Sequence, residues 1–282
     1  GGINISSVYS GGSFSQRSRL RPSGGPAWRD TDLQLEGPVV AELQKLFLAG
    51  WAAQKGPAAA SPGLFPPPER AGNQVVRAIG SSPDEPYSLI YATLLSAIGS
   101  AETSVQITNA YFAPDPQLLA ALEAAAARGV EVRLILPSQT DSWLVFHTGR
   151  GYYTQLLQAG VKIYERRGVI LHSKTALIDG VWATVGSTNL DWRSFLHNHE
   201  LNAVVLGAEF GAQHLAHRVP RHAPAGQQLV LVDAETVGQP TGGGDQHRDR
   251  QGIADDGGLH RQRGTVEALR NSGKRGVEDG GI

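Results

Sequence analysis

The sequence predicts an α/β fold in which a mixed β-sheet is flanked by helices. Between residues 75 and 212, short apolar runs typical of strands alternate with helical segments rich in Ala and Leu. Asp179-Gly180, between two such runs, is a hairpin turn signal that adds antiparallel pairing to the sheet. The 282 residues are enough for one or two domains with a sizeable core.

The elements of this region follow from their patterns. Helices are predicted at 87–98, at 115–128 with Gly129 closing it, and at 152–158. Strands are predicted at "SVQITNAYF", "VEVRLILP", "VKIYER", "VILHSKTALID", "VWATVGS" and "ELNAVVLG". The fourth of these is expected to be one continuous strand.

Residues 1–55 form a separate unit in this prediction. After a loop rich in Gly, Ser and Arg, "TDLQLEG" alternates like a half-buried strand. A helix follows with Pro38 in its first turn. Its predicted apolar face consists of Val39, Val40, Leu43, Leu46 and Phe47.

Two segments lack the periodicity of folded elements. Residues 56–74 are rich in Pro, which predicts a linker. Residues 213–282 contain no Phe, Tyr or Trp and are rich in Gly, Arg, His and Asp. Such a composition buries too little apolar surface to offset the entropy of ordering. We therefore expect a mostly disordered or aberrant tail, with a short strand at "QQLVLVDA" as the exception.

The composition excludes several classes of protein. The net charge of −1 argues against nucleic acid as a partner. Without cysteine there is no disulfide framework, Cys-ligated zinc or thiol nucleophile. No apolar run reaches the ~18 residues of a transmembrane segment. The absence of Met, with a start at "GGINIS", leads us to expect a truncated chain.

The stretch "LHSKTALIDGVWATVGSTNLDWRSF" (171–195) concentrates polar residues in an otherwise apolar run. Strand alternation would put His172 and Lys174 on one face, where an anion such as a phosphodiester explains their proximity. Lys174 would supply charge, and His172 would attack phosphorus or transfer a proton. Asp179 would hold a local hydrogen-bond network or orient an imidazole.

The turn after the next strand is predicted to complete the site. Ser187 and Asn189 can donate hydrogen bonds to a phosphoryl oxygen. Glu200 can accept from an imidazole Nδ1–H and fix its tautomer. The remaining polar residues are interpreted as structural, namely Asp191 and Arg193 (an ion pair or helix start) and His147, His197 and His199. The histidines have no metal-ligand spacing.

The string His-x-Lys, Asp, Gly-Ser-x-Asn resembles the HKD motif, HxKxxxxDxxxxxxGSxN, of the phospholipase D superfamily. "NAYFAPD", "RGVEVRLILPSQTDS", "LLQAGVKIYE" and "WRSFLHN" resemble bacterial cardiolipin synthases within it. "GGINIS" resembles the end of the family's first motif, with Gly2 and Asn4 at its Ser and Asn positions. The resemblance implies a remnant of a first lobe at 1–55 and a second, near-complete lobe at 75–212.

The resemblance also implies a mechanism without a metal or other cofactor. One histidine attacks phosphorus to form a phosphohistidine, and the other, here His172, acts as acid and base. The donor would be phosphatidylglycerol or a related phospholipid, and the acceptor a lipid alcohol. The full-length family members would sit at the bacterial inner membrane through an N-terminal anchor. The first His, Lys and Asp of the family pattern are missing here, so we expect little turnover from this chain alone.

Two alternatives stay open at this level. The chain could be a single-motif phosphodiesterase or nuclease that pairs two His172 residues in a homodimer, although its near-neutral charge disfavours a nuclease. It could also be a non-catalytic fragment that binds phosphate or lipid. Trp143, Phe146, Tyr152 and Tyr153 could line a lipid entrance, but core positions are the favoured interpretation.

Overall fold

A computed structural model describes residues 28–58, 63–67, 69, 71–212, 229–232 and 264–265. The helices are α1 (Val39–Ala53), α2 (Leu89–Gly99), α3 (Pro116–Ala127), α4 (Trp143–Gly151), α5 (Tyr153–Gln158), α6 (Trp192–Leu196) and α7 (Ala208–Phe210). The first strands are β1 (Trp28–Arg29), β2 (Leu33–Gln34), β3 (Val75–Ser81), β4 (Ser104–Thr108), β5 (Phe112–Ala113), β6 (Glu131–Pro137) and β7 (Lys162–Arg166). The others are β8 (Ile170–Leu171), β9 (Thr175–Ile178), β10 (Trp182–Gly186), β11 (Leu190–Asp191), β12 (Glu200–Leu206), β13 (Leu229–Val232) and β14 (Gly264–Thr265).

The main sheet has eight strands in the order β13-β7-β6-β4-β9-β10-β12-β3. Strands β4, β6 and β7 are parallel, and helices α3, α4 and α5 lie in the connections between them. From β4 through β9, β10 and β12 to β3, each neighbouring pair is antiparallel. The sheet is therefore mixed and flanked by helices, as the sequence predicted.

The largest apolar cluster lies between this sheet and helices α2, α3 and α5. In β4 only every second residue is buried, because Val105 and Ile107 face the helices. In β6 nearly every residue is buried, which indicates that both faces of this central strand are covered. Side chains that are almost fully buried in this cluster include Ile98, Leu118, Leu122, Leu134, Leu156 and Ile163.

The helices before and after β4 begin at side-chain caps. The Ser88 hydroxyl accepts from the Tyr91 backbone N–H at 3.2 Å at the start of α2. Asp115 accepts from the Leu118 N–H at 2.8 Å at the start of α3, where Pro116 occupies the first position. The Tyr91 hydroxyl donates to the same Asp115 carboxylate at 2.6 Å, which ties the two helix starts together.

Three expectations about the elements differ from the structure. The segment "TDLQLEG" forms only the two-residue strand β2. On α1, Phe47 and Val40 of the predicted apolar face are exposed, and Val39 is the buried residue. Helix α4 was not predicted, because its first residues Trp143 and Leu144 are exposed and blur the amphipathic pattern. Most of the predicted tail, and several residues of the predicted linker, lie outside the described residues.

Candidate active site

The His-x-Lys pair lies in a break between two strands. The predicted continuous strand is divided into β8 and β9, and residues 172–174 belong to neither. The break arises where β8 leaves the main sheet and pairs in parallel with β1. The His172 backbone N–H donates to the Arg29 carbonyl at 2.6 Å and extends this pairing by one bond. The directions of the His172 and Lys174 side chains are therefore set by the pairing of this segment with β1 and the residue after it, and not by strand alternation.

A buried carboxylate from that segment orients the His172 imidazole. Its Nδ1 lies 2.7 Å from Asp30 Oδ2, and the Asp30 side chain is fully buried. The Trp28 ring lies beside the imidazole, with 5.0 Å between ring centroids. Because Nδ1 is engaged by a carboxylate, proton transfer to or from a substrate would use the opposite nitrogen, Nε2.

Sequence reasoning assigned the orienting carboxylate to Glu200 and did not single out Asp30. The two residues of the observed pair are 142 positions apart, so no local pattern links them. A second bond reinforces the same contact, because the buried Thr31 hydroxyl donates to the Ser173 hydroxyl at 3.1 Å. The polar run "RDT" directly before a strand was the only signal of this role.

Lys174 is a nearly fully buried cation. Its ammonium group donates a hydrogen bond to the His172 carbonyl oxygen. Burial lowers the pKa of Lys174 to about 8, against the attraction of Asp30, Glu200, Asp141 and Asp191. Lys174 is one of the residues that line a cavity of about 470 Å³, counting the space that opens to solvent, and most of the lining surface is apolar.

Glu200 binds the turn after β10 rather than His172. The Ser187 hydroxyl donates to Glu200 Oε2 and accepts from the Leu201 N–H at 3.0 Å. The Asn198 amide donates to the other oxygen, Oε1, at 3.1 Å. The Ser187 hydroxyl was expected to donate to a phosphoryl oxygen, but in this structure its proton is engaged by Glu200.

Two buried asparagines fix the 187–190 turn. Asn202 Oδ1 accepts from the Thr188 hydroxyl at 2.8 Å, and its amide donates to Thr184 at 3.1 Å. Asn109 Oδ1 accepts from the N–H of Leu190 at 3.1 Å and from that of Tyr111 at 3.2 Å. These bonds hold the backbone on both sides of Asn189. Neither asparagine was singled out from the sequence.

Asn189 itself is less completely satisfied. Its backbone N–H donates to Ser194 Oγ at 3.3 Å. Its side-chain oxygen Oδ1 is buried, and within the described part of the chain it has no hydrogen-bond partner. Buried polar atoms are rarely left without partners, so this acceptor oxygen is a candidate contact for a donor group of a bound molecule, such as a hydroxyl.

Asp179 takes the first of its two predicted roles, the local network. Its backbone φ of 51° and that of Gly180 at 69° form the predicted hairpin turn between β9 and β10. Its Oδ1 accepts from the N–H groups of Thr103 and Ser104 at 2.8 Å each, and its Oδ2 from that of Glu102 at 2.9 Å. Burial alone would raise the pKa of Asp179, but these N–H donors outweigh it and lower the pKa below its usual value.

The other polar residues of the region have structural contacts. Asp191 begins α6 by accepting from the Ser194 N–H at 2.7 Å, which is one of its two predicted roles. His197 accepts from Trp192 Nε1 at 3.0 Å. Asn4 lies outside the described residues. Among the residues that are described, no three His, Asp or Glu side chains are grouped closely enough to hold a metal ion.

Comparisons with known proteins show what the chain resembles. Residues 94–218 match the family model for "Cardiolipin synthase, PLD-like domain". The chain is 39% identical over 208 residues to a cardiolipin synthase of Halalkalibacterium halodurans, which is 72% of this chain and 39% of that relative. The chain therefore resembles cardiolipin synthases, and its residues 94–218 match a phospholipase D-like domain.

Other known proteins match as well. Cardiolipin synthase A of Klebsiella pneumoniae is 38% identical over 198 residues, 67% of this chain and 40% of that relative. The chain thus spans about two fifths of the length of its curated relatives. The crystal structure of Nuc from Salmonella typhimurium, a phospholipase D family member, superposes with a TM-score of 0.44 at 24% identity. That match covers 51% of this chain and 91% of Nuc.

One observation concerns the membrane. In the part of the chain that the structure describes, every helix is too short or too polar to cross a bilayer.

Proposed function

We propose that this chain provides one half of the active site of a cardiolipin synthase-type phosphatidyltransferase. The observation that supports it is the His172–Asp30 pair beside the buried Lys174 ammonium, within a motif of the phospholipase D superfamily. The substrates in this proposal are phosphatidylglycerol, or a phospholipid like it, and a lipid alcohol. The protein would act at the bacterial inner membrane.

The proposed reaction exchanges one phosphate ester for another in two displacements. An imidazole nitrogen of a second HKD motif attacks phosphorus, forming a P–N bond as the P–O bond to glycerol breaks. His172 Nε2 donates the proton that the leaving alkoxide needs. It then removes the proton of the incoming lipid alcohol, whose oxygen displaces the phosphohistidine nitrogen. Atoms and charge balance without a metal or redox partner.

The residues of this chain have distinct parts in the proposal. Asp30 holds His172 in the tautomer that presents Nε2 and stabilises the imidazolium. Lys174 binds the phosphoryl oxygens, and the NH₂ group of Asn189 can donate to them. The Asn189 side-chain oxygen can accept from a substrate hydroxyl. Asp179 contributes stability, and Glu200 with Ser187 shapes the turn. We propose that residues 75–212 form one lobe and residues 1–55 the end of another, joined by the 56–74 linker.

The second imidazole of the mechanism is expected upstream of Gly1 or from a second copy of the chain. Of the histidines in the described ranges, His172 is the one within salt-bridge distance of a carboxylate. His197 is engaged by Trp192 instead. A single lobe should therefore turn over slowly.

The test is cardiolipin formation from phosphatidylglycerol in detergent micelles, followed by mass spectrometry. It compares this chain with the same chain extended upstream in its own reading frame. We expect little product from the chain alone, restored activity in the extended protein, and a loss of about 10³-fold or more on His172→Ala. His199→Ala removes an exposed imidazole that has no part in the proposed chemistry and is the control.

The outcomes are distinct. Undiminished product in the His172→Ala protein contradicts the proposed chemistry. A homodimer of the bare chain that cleaves simple phosphodiesters without making cardiolipin would assign it to the single-motif phosphodiesterases instead. An extended protein that binds phospholipid but performs neither reaction would indicate a non-catalytic fragment.

A further inference from the structure

Four large apolar side chains beside the site are exposed, and the proposed chemistry does not use them. Trp143 and Leu144, in the first turn of α4, are 72% and 69% exposed. Trp192 and Leu196, on α6, are 61% and 44% exposed. We call these four residues the apolar rim. Together they expose on the order of 500 Å² of apolar surface, in two pairs on the helices that lie on either side of β5.

Each half of the apolar rim follows a carboxylate that acts on the candidate site. Asp141 lies two residues before Trp143, and Asp191 directly before Trp192; both carboxylates act on the Lys174 ammonium. Strand β5 lies between the two helices, since Ala113 pairs with Asp191 and the other neighbour of β5 is α4.

The helices that present the apolar rim are firmly anchored on their other faces. In α4, Gly149 packs so closely on the Phe112 carbonyl that an added Cβ would lie 2.2 Å from its oxygen. The next residue, Arg150, pairs with the buried Glu165 at 2.5 Å. In α6, Phe195 packs on Tyr91 with ring centroids 4.1 Å apart. The exposure of the rim therefore belongs to fixed elements of the fold.

The rim has the chemistry of a membrane interface. Trp192 Nε1 donates to His197, and the Trp143 ring lies on His147 with centroids 4.7 Å apart. Aromatic rings that pair with polar groups at one end are suited to the boundary between lipid and water. Between the two α6 rim residues lies Arg193, which is exposed and, within the described residues, has no ion pair. Its guanidinium complements the phosphate layer of a bilayer.

We propose that the apolar rim is a docking surface for a phospholipid bilayer. Trp143, Leu144, Trp192 and Leu196 enter the boundary of the acyl chains, and Arg193 contacts lipid phosphates. The inference rests on the proposed function, because a site that takes two-chain lipids must reach them at the bilayer surface. Docking at the rim would bring lipid phosphates to the mouth of the site without a spanning helix in this region.

The test is co-sedimentation of the full chain with large phosphatidylcholine vesicles, with and without phosphatidylglycerol, at low and high salt. We expect the wild-type chain to bind both, more tightly where phosphatidylglycerol is present at low salt. The pairs Trp143→Ala/Leu144→Ala and Trp192→Ala/Leu196→Ala should each weaken binding at least tenfold. Arg193→Gln should remove only the salt-sensitive gain from phosphatidylglycerol.

A matched control exists on α1, where Phe47 and Trp51 stack and are 61% and 43% exposed. Phe47→Ala/Trp51→Ala removes a similar exposed aromatic surface outside the rim and should leave binding within twofold of wild type. Melting curves check folding, and if a double variant fails to fold, the exposed single change Leu144→Ser takes its place. Quenching of tryptophan fluorescence by brominated lipids, lost in Trp143→Phe/Trp192→Phe, gives a second readout.

Three results would overturn the proposal. The first is that the wild-type chain does not bind vesicles. The second is that the rim and control variants weaken vesicle binding equally. The third is that the rim variants only dissociate a dimer, as measured by light scattering. The last result would make the rim an interface between chains. The micelle assay for transfer needs no bilayer docking. If the upstream-extended protein makes no product in that assay while vesicle binding is intact, the proposed function is contradicted and the docking surface still stands.

Discussion

Replacing the buried lysine with methionine should stabilise the protein while removing its proposed chemistry. The usual Lys pKa of 10.5 falls to about 8 for Lys174, mainly because the ammonium is buried. At about 1.4 kcal/mol for each pH unit of that difference, the charged form costs the folded state about 3 kcal/mol. Methionine has similar length and no charge, but it loses the hydrogen bond to the His172 carbonyl, worth about 1 kcal/mol. We therefore expect Lys174→Met to raise the unfolding free energy by about 2 kcal/mol at pH 7.

The pH dependence gives the sharper measurement. Below pH 8 the lysine is protonated in both the folded and the unfolded state, so the full cost of its burial is present. Between pH 8 and 10.5 the folded state releases the proton and the unfolded state keeps it, so the unfolding free energy of wild type rises with pH. The advantage of Lys174→Met should thus shrink and then reverse across this window.

Urea unfolding followed by tryptophan fluorescence, at steps from pH 7 to 10, measures this difference. Lys162→Met is the control, because Lys162 is half exposed and pairs with Glu131 at 2.8 Å. Its difference from wild type should show no comparable decline. A difference between wild type and Lys174→Met that stays constant over the window would refute the reasoning, since it would mean that the ammonium is not desolvated.

Three further perturbations test single contacts. Asp30→Asn keeps the shape of the site but loses the carboxylate on His172, so transfer by the upstream-extended protein should fall about 10²–10⁴-fold with little change in lipid binding. Asp179→Ala removes the carboxylate that accepts from the N–H donors of residues 102–104, and it puts alanine at φ 51°. The free energy of unfolding should therefore fall by about 2–4 kcal/mol, while activity per folded molecule is kept. Asp179→Asn should lose less stability, because asparagine tolerates that φ. Because the pKa of Asp179 is lowered, its stabilisation is present above pH 4 and is lost on acidification, and the Ala variant should lack that part of the acid dependence. Gly186→Ala would set a Cβ 1.9 Å from Asn202 Oδ1, so the melting temperature and phosphate binding should both fall, and unchanged values would contradict the described packing.

Local signals in the sequence were sufficient for most of the fold. Apolar runs gave the central strands, and a segment rich in Ala and Leu, closed by Gly129, gave helix α3. The Asp179-Gly180 signal located its hairpin because a left-handed turn needs residues that tolerate positive φ. Each of these features depends on a few neighbouring residues, which is the range over which sequence patterns are informative.

Features set by distant partners could not be predicted in this way. The run around His172 and Lys174 alternates like any strand, and the break between β8 and β9 arises from pairing with β1, more than 140 residues earlier. Asp30 was missed as the partner of His172 for the same reason. Helix α4 was missed because Trp143 and Leu144 face outward, so its apolar residues do not form the single buried face by which a helix is predicted.

The carboxylates around Lys174 explain how a buried cation can be both charged and available. Asp30 is bonded to His172, and Glu200 to the Ser187 hydroxyl. Asp141 accepts from Tyr111, and Asp191 accepts from a backbone N–H at the start of α6. Each carboxylate thus has its own donor, and within the described residues none lies within salt-bridge distance of the Lys174 ammonium. Together they attract the ammonium from a distance and oppose the effect of burial on its pKa. An arriving phosphodiester would therefore meet a cation that is already desolvated and has no direct ion pair to break, which is the electrostatic preorganisation that a phosphoryl-transfer site requires.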